Sequence, residues 1–78
     1  MQTAPIGHLQ FNVRGENLPF YRDLLTFLGW GLIGEWPGMI GLGSLDGQSV
    51  WFSGQVKEVS NDYDGPGLNH LAFAAASV

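Results

Sequence analysis

Two histidines, His8 and His70, are the side chains of this 78-residue chain best suited to chemistry. They occupy equivalent places in two similar segments, I-G-H-L-Q-F-N-V at residues 6–13 and L-N-H-L-A-F-A-A at residues 68–75. The apolar opening residue, the His, the Leu and the Phe recur in the same order, which indicates an internal repeat. A neutral imidazole is a good ligand for a divalent metal. The two histidines are therefore either metal ligands or metal-free, hydrogen-bonded residues in matching positions.

Other common catalytic arrangements are missing from the sequence. The chain has no cysteine, which excludes disulfides, zinc–thiolate sites and thiol catalysis. Ser44, Ser49 and Ser53 have no neighbouring base in the sequence that would mark a nucleophile. The glycines of G-L-G-S-L-D-G at residues 41–47 lack the spacing of a phosphate-binding loop and suit a hairpin instead.

The charge balance excludes one large class of partners. The formal net charge is −4, from seven acidic and three basic residues, whereas nucleic-acid binding needs a basic surface. No basic segment followed by an apolar core marks a signal peptide near the N-terminus. No apolar run approaches the roughly 20 residues that span a bilayer. We therefore expect a cytoplasmic protein without nucleic-acid or membrane partners.

The first element predicted from the pattern is a strand over residues 6–13. Its apolar residues Leu9, Phe11 and Val13 alternate with the polar residues His8, Gln10 and Asn12. Because side chains of a strand point alternately to opposite faces, one face is apolar and the other is polar. The polar face carries the imidazole.

A helix and three strands are expected to follow. Apolar residues recur every three or four positions between Phe20 and Leu28, with Asn17 as N-cap, Pro19 in the first turn and Gly29 as the C-terminal stop. The strands are W-G-L-I-G-E-W, M-I-G-L-G-S-L and Q-S-V-W-F-S-G, separated by the turn pairs Pro-Gly and Asp-Gly. Residues 55–67 are polar and are predicted to form a linker, followed by a strand at 68–75.

The segments I-G-H-L-Q-F-N-V, F-Y-R-D-L-L-T-F-L-G-W and G-P-G-L-N-H-L-A-F resemble the vicinal oxygen chelate superfamily. That superfamily includes glyoxalase I, the bleomycin- and fosfomycin-resistance proteins and the extradiol dioxygenases. The resemblance implies an α+β fold, with a glyoxalase-like βαβββ module at residues 1–54, a linker at 55–67 and the first strand of a truncated second module at 68–78. The low charged fraction, 13%, and the unpaired last strand lead us to expect completion of the fold by homodimerisation.

The resemblance also implies a site. In the superfamily the first strand of each module offers a His to the metal, which corresponds here to His8 and His70 and to Zn, Fe, Ni or Mn as the metal. The module's carboxylate ligand corresponds to Trp51, which cannot bind a metal. The expected metal site is therefore incomplete. Trp51 is either a wall of the cleft that stacks on a ligand or a dimer contact.

Two functions follow from this resemblance. The first is a non-catalytic small-molecule-binding protein of the glyoxalase/bleomycin-resistance type, in which Trp51, Trp36 and Phe52 form or support a groove and the negative charge favours a cationic ligand. The alternative is a metal-dependent lyase or dioxygenase that uses His8 and His70. In either case Gln10 and Asn12 are expected to contact the ligand or orient the substrate.

Overall fold

The computed structural model describes residues 2–55, 57–62 and 64–74. Its elements are strand β1 (His8–Val13), a single 3-10 turn (Gly15–Asn17), helix α1 (Leu18–Phe27), and strands β2 (Gly31–Trp36), β3 (Met39–Gly43) and β4 (Ser49–Gly54). The predicted α+β class and the order strand, helix, three strands are confirmed for residues 8–54.

The four strands form one mixed sheet in the order β1-β4-β3-β2. β1 pairs in parallel with β4, while the β2–β3 and β3–β4 pairs are antiparallel. The helix connects the two edge strands and packs on one face of the sheet, because its buried residues Leu18 and Leu25 join Ile40, Leu42, Val50 and Phe52 in the core. We call this side of the sheet the helix face.

The ends of α1 explain its length. Pro19 lies in the first turn, where the missing N–H costs nothing. Asn17 precedes the helix as predicted, but its side chain makes no capping hydrogen bond because its backbone already belongs to the 3-10 turn. At the other end, Gly29 has φ +98° and donates to the Thr26 carbonyl, while Trp30 donates to the Leu25 carbonyl. This is a Schellman motif, which confirms Gly29 as the stop.

The core is layered by aromatic rings. Phe52 of β4 stacks on Tyr21 of α1 with ring centroids 4.6 Å apart and on Phe11 of β1 at 5.5 Å. Phe52 is 5% exposed, so this residue supports the sheet from the core and does not line a groove. No side-chain nitrogen or oxygen atom among the described residues is buried without a hydrogen-bond partner.

The segment after β4 differs from the prediction. Residues 57–62 and 64–74 have no regular secondary structure, and no backbone hydrogen bond joins residues 68–74 to the sheet. A strand requires a neighbouring backbone for its N–H and C=O groups, and here the segment is held through side chains. Phe73 contacts Trp30 edge-to-face, with centroids 5.9 Å apart. Residues 75–78 of the predicted strand and second module lie outside the described residues.

The predicted division into a module at residues 1–54, a linker at 55–67 and the start of a second module at 68–78 stays a prediction. So does the pairing of two copies into a homodimer. Within the described parts of the chain, no helix has the length and hydrophobicity needed to span a membrane.

Candidate functional site

The sheet face opposite α1, which we call the open face, carries the predicted polar residues of β1. Alternation and register place the following side chains or glycines on it: His8, Gln10, Asn12, Ser49, Trp51, Ser53, Met39, Gly41, Gly43, Gly34 and Trp36. None of these residues is acidic, lysine or arginine. The open face is therefore a mixed aromatic and polar surface without fixed charge.

Two indole rings dominate this surface. Trp51 of β4 and Trp36 of β2 lie nearly parallel, with ring centroids 6.2 Å apart and planes inclined by 18°. Trp36 is 50% exposed and Trp51 is half-buried. Together they present flat aromatic area to solvent, which is costly unless something covers it.

Glycines allow both rings to lie flat on the sheet. A Cβ atom on Gly41 would overlap the six-membered ring of Trp51, its cross-strand partner. A Cβ atom on Gly34 would overlap the ring of Trp36 in the same way. Glycine in a strand interior is unfavourable, because it contributes no side-chain packing and loses more conformational entropy on folding. It is therefore commonly found where another group must lie close to the backbone. Here the approaching group is an indole at each position.

A β-bulge puts Trp36 on the open face. The register of β2 against β3 shifts between Leu32, which pairs with the buried Leu42, and Gly34, which pairs with Gly41. In a regular strand without a bulge, alternation would leave Leu32, Gly34 and Trp36 on one side of the sheet, whereas here Ile33 is the extra residue between two pairs on opposite faces. The bulge sends Leu32 to the helix face and Trp36 to the side of Trp51.

Hydrogen bonds orient the aromatic and polar groups. The Trp51 Nε1–H donates to Ser49 Oγ at 2.9 Å, which restrains the ring along its own strand. Gln10 lies beside Trp51 in the register of β1 and β4, and its Nε2 donates to Ser53 Oγ at 2.8 Å. The polar residues expected at the site, Gln10 and Asn12, therefore flank the indole as a row of exposed amides.

The helix-side carboxylates are directed away from this surface. Glu35 of β2 pairs with the core residue Ile40 in register and accepts a hydrogen bond from Arg22 Nη1 of α1 at 2.8 Å. Arg22 Nε also contacts Asp23 at 3.0 Å. The hydrogen bond to Asp23, followed by that to Glu35, raises the pKa of Arg22. These charges form a surface network beside the helix face, so the net negative charge is not focused on the indoles.

The two histidines do not complete a metal site among the described residues. His8 is exposed at the start of β1, opposite Ser49. His70 lies in the irregular segment 64–74, where its Nδ1 is 3.0 Å from Asn69 Oδ1. No group of three His, Cys, Asp or Glu side chains that could hold a metal comes together in the described parts of the chain. Two imidazoles fall short of the three protein ligands typical of a catalytic zinc.

The structure adds Gly34, Gly41, Ser49 and Ser53 to the site that the sequence predicted. Trp36, which was expected to form or support a groove, lies on the open face near-parallel to Trp51. The interior glycines of β2 and β3 were the available signal, because strands seldom contain them without a reason.

Comparisons with known proteins identify no relative. A scan against protein-family models found no match, and neither searches of curated proteins nor of solved structures returned a similar protein.

Proposed function

We propose that this chain is a non-catalytic small-molecule-binding protein that holds a flat ring on the open face. The observation that carries the proposal is the pair of near-parallel indoles, Trp51 and Trp36, seated on Gly41 and Gly34. Aromatic side chains bury large areas against a flat partner, and offset stacking adds about 0.5–1.5 kcal/mol beyond that burial. The two glycines let both indole rings lie flat against the sheet, since a Cβ atom at either position would overlap a ring.

The polar flank supplies orientation. Ligand sites combine apolar walls with a few placed polar groups that fix the pose. Gln10 and Asn12 offer amide donors and acceptors on the β1 side of Trp51, and Ser53 supports the Gln10 amide at 2.8 Å. A ring with hydrogen-bonding substituents on one edge fits this arrangement.

The charge distribution favours an uncharged ring. The expectation of a cationic ligand rested on the total charge of −4, but the acidic Glu35 is bound to Arg22 on the helix side. A cation on the indoles would still gain the cation–π attraction, about 0.5–1 kcal/mol at an exposed site. Among the described strand residues, no carboxylate on the open face adds to that attraction.

The resemblance to the glyoxalase/bleomycin-resistance proteins agrees with a ligand on this side of the sheet, and it remains part of the proposal. The metal-dependent alternative gains no support from the donor set, because Trp51 replaces the carboxylate and the described residues offer no third ligand. No catalytic step is therefore assigned to His8 or His70.

The test uses the three indole N–H signals of the protein in an NMR titration with quinoline and with N-methylquinolinium. Trp51 and Trp36 report on the open face, and Trp30, which contacts Phe73 beside the core, is the internal reference. We expect quinoline to shift the first two signals and not the third. Trp51→Ala should weaken binding about tenfold, as expected from the loss of burial and stacking.

A matched control removes an exposed aromatic residue elsewhere. Phe20 on α1 is 59% exposed, and Phe20→Ala should leave quinoline binding unchanged. Equal shifts at all three indoles, or equal losses in Trp51→Ala and Phe20→Ala, would contradict the proposal. A strong preference for N-methylquinolinium that high salt abolishes would restore the cationic version.

Calorimetry with Zn²⁺ tests the metal alternative separately, on the wild-type protein and on His8→Ala and His70→Ala. Convergent ligands would make tight binding disappear in both variants. We expect no tight site that depends on both histidines.

A further inference from the structure

A cavity of about 660 Å³ lies beside the β1 edge of the sheet, away from the indole pair. Its walls come from the end of β1, from residues 55, 57 and 59–61, and from residues 68–71. Neither Trp51 nor Trp36 lines it. The volume falls within the range of about 300–1,000 Å³ that small-molecule sites occupy.

The wall combines an apolar floor with hydrogen-bond donors. Phe11, Leu68 and Leu71 contribute hydrocarbon surface, and the amide side chains on the wall are those of Asn12, Gln55, Asn61 and Asn69. The Gln55 Nε2 already donates to the Lys57 carbonyl oxygen at 2.6 Å, so one of its N–H groups is taken. Asn12 also belongs to the open face, so the two sites adjoin without sharing the indoles. Each asparagine amide offers two N–H donors to a ligand.

The charge of the wall is unusual for this chain. Lys57 lines the cavity and is one of three Lys and Arg residues in a chain of net charge −4. Arg22 is bound to Asp23 and Glu35 on the far side of the sheet. No Asp or Glu is among the described residues that line the cavity. A wall with an ammonium group and amide donors, but no carboxylate, suits an anion.

We propose that this cavity binds a small organic monocarboxylate with an apolar body, a function independent of ring binding on the open face. The carboxylate would accept hydrogen bonds from Lys57 and from the asparagine amides, and its apolar part would lie on Leu68 and Leu71. Charge-assisted hydrogen bonds of this kind are about twice as strong as neutral ones. One lysine matches one negative charge, which favours a monocarboxylate over a phosphate.

His70 takes a different role in this arrangement. Its Nδ1 faces the Asn69 amide oxygen at 3.0 Å, and both residues line the cavity. With an N–H at Nδ1 donating to that oxygen, the imidazole is held as part of the wall. His70 is then part of the wall beside the bound anion.

The experiment is an NMR titration of the full chain with phenylacetate and with its uncharged analogue phenylacetamide, at neutral pH and low salt. We expect phenylacetate to shift backbone amide signals in residues 57–61 and 68–71 while the Trp51 indole signal stays in place. The amide should bind at least about tenfold more weakly, since a hydrogen bond to a charged group contributes about 1.5–3 kcal/mol.

Charge-matched variants separate a specific contact from general electrostatics. Lys57→Gln and Arg14→Gln change the net charge equally, but Arg14 does not line the cavity. We expect Lys57→Gln to weaken phenylacetate binding about tenfold or more, Arg14→Gln to have little effect, and Lys57→Arg to restore binding. Equal effects of the two glutamine variants, equal binding of the two probes, shifts centred on Trp51, or no binding would each overturn the proposal.

Discussion

The two faces of one sheet follow opposite design rules. On the helix face the strands carry branched and aromatic side chains, Ile40, Leu42, Val50 and Phe52, which are at most 5% exposed. On the open face the same strands carry Gly41, Gly43, Ser49 and Ser53 around Trp51. The helix face fills volume, whereas the open face is kept flat. Stability therefore depends mainly on one face, and ligand binding is expected to depend on the other.

The largest effect should come from opening the helix face. Leu42 is 0% exposed, so Leu42→Ala should lower the free energy of unfolding by about 2–5 kcal/mol through lost burial and a cavity. Chemical denaturation followed by circular dichroism measures this. Leu45→Ala deletes the same atoms from a fully exposed turn residue and should change stability little. Similar losses in both variants would contradict the asymmetry between the faces.

A smaller loss of stability, with a large loss of ligand binding, is expected for Gly41→Ala. The new methyl group would overlap the Trp51 ring and lift it from the sheet, at a cost of about 1–3 kcal/mol typical of overpacking. Near-ultraviolet circular dichroism should report the displaced indole, and quinoline binding should fall.

Gly31→Ala is the matched control for this substitution. A Cβ atom there would meet only the Gly43 carbonyl oxygen at 3.8 Å, an ordinary contact. Both changes reduce the entropy of the unfolded chain equally. An unchanged Trp51 signal in Gly41→Ala would refute the close approach of ring and glycine.

Ser49→Ala should have a modest effect confined to the open face. It removes the acceptor of the Trp51 indole N–H, a net contribution of about 0.5–1.5 kcal/mol for a typical hydrogen bond. The Trp51 indole N–H signal should move in Ser49→Ala and stay in place in Ser53→Ala, since Ser53 accepts from Gln10 instead. A shift of equal size in both variants would contradict this assignment.

The smallest effect is expected at the surface ion pair. Glu35→Gln removes a partner that raises the pKa of Arg22. Because the raised pKa belongs to a base, the stabilisation is fully present below the ordinary pKa of an arginine side chain and is lost only at still more alkaline pH.

We therefore expect Glu35→Gln to lower the melting temperature slightly at neutral pH. Because Arg22 stays charged between pH 6 and 9, its contribution to this difference should not change over that range. The difference from wild type should shrink in about 1 M salt, because exposed charges are screened. Glu16→Gln, in the 3-10 turn, is the control. A larger effect of Glu16→Gln would show that the Arg22 network adds nothing specific.

The amphipathic helix and the polar face of β1 could be predicted from the sequence because both depend on local periodicity. The spacing of apolar residues in α1 and the stop at Gly29 were both confirmed. The strand expected at residues 68–75 was not found in its described part, 68–74, since strand formation depends on a hydrogen-bonding neighbour that no local pattern specifies.

The candidate site was predictable in part. Gln10 and Trp51 were both expected at a ligand site, and the register brings them side by side. Trp36 could not be assigned to the open face, because the alternation of β2 is reversed by the bulge at Ile33. The cavity beside β1 could not be foreseen either, since it arises where residues 55, 57, 59–61 and 68–71 meet the edge of β1.

The sequence by itself determined the features that depend on residues close together in the chain. These are one helix with an apolar stripe, β-strands bounded by Gly-containing turns, and an imidazole at the start of a polar strand face. Helix and strand periods and turn residues act over a few positions, so they survive without tertiary context. Tertiary structure decided which side chains meet. Trp36 lies beside Trp51 because of a register shift in β2. The Trp51 ring lies over Gly41 of the neighbouring strand, and the Trp36 ring lies over Gly34 of its own strand. Such contacts join residues distant in the chain, and only the packed sheet determines their geometry.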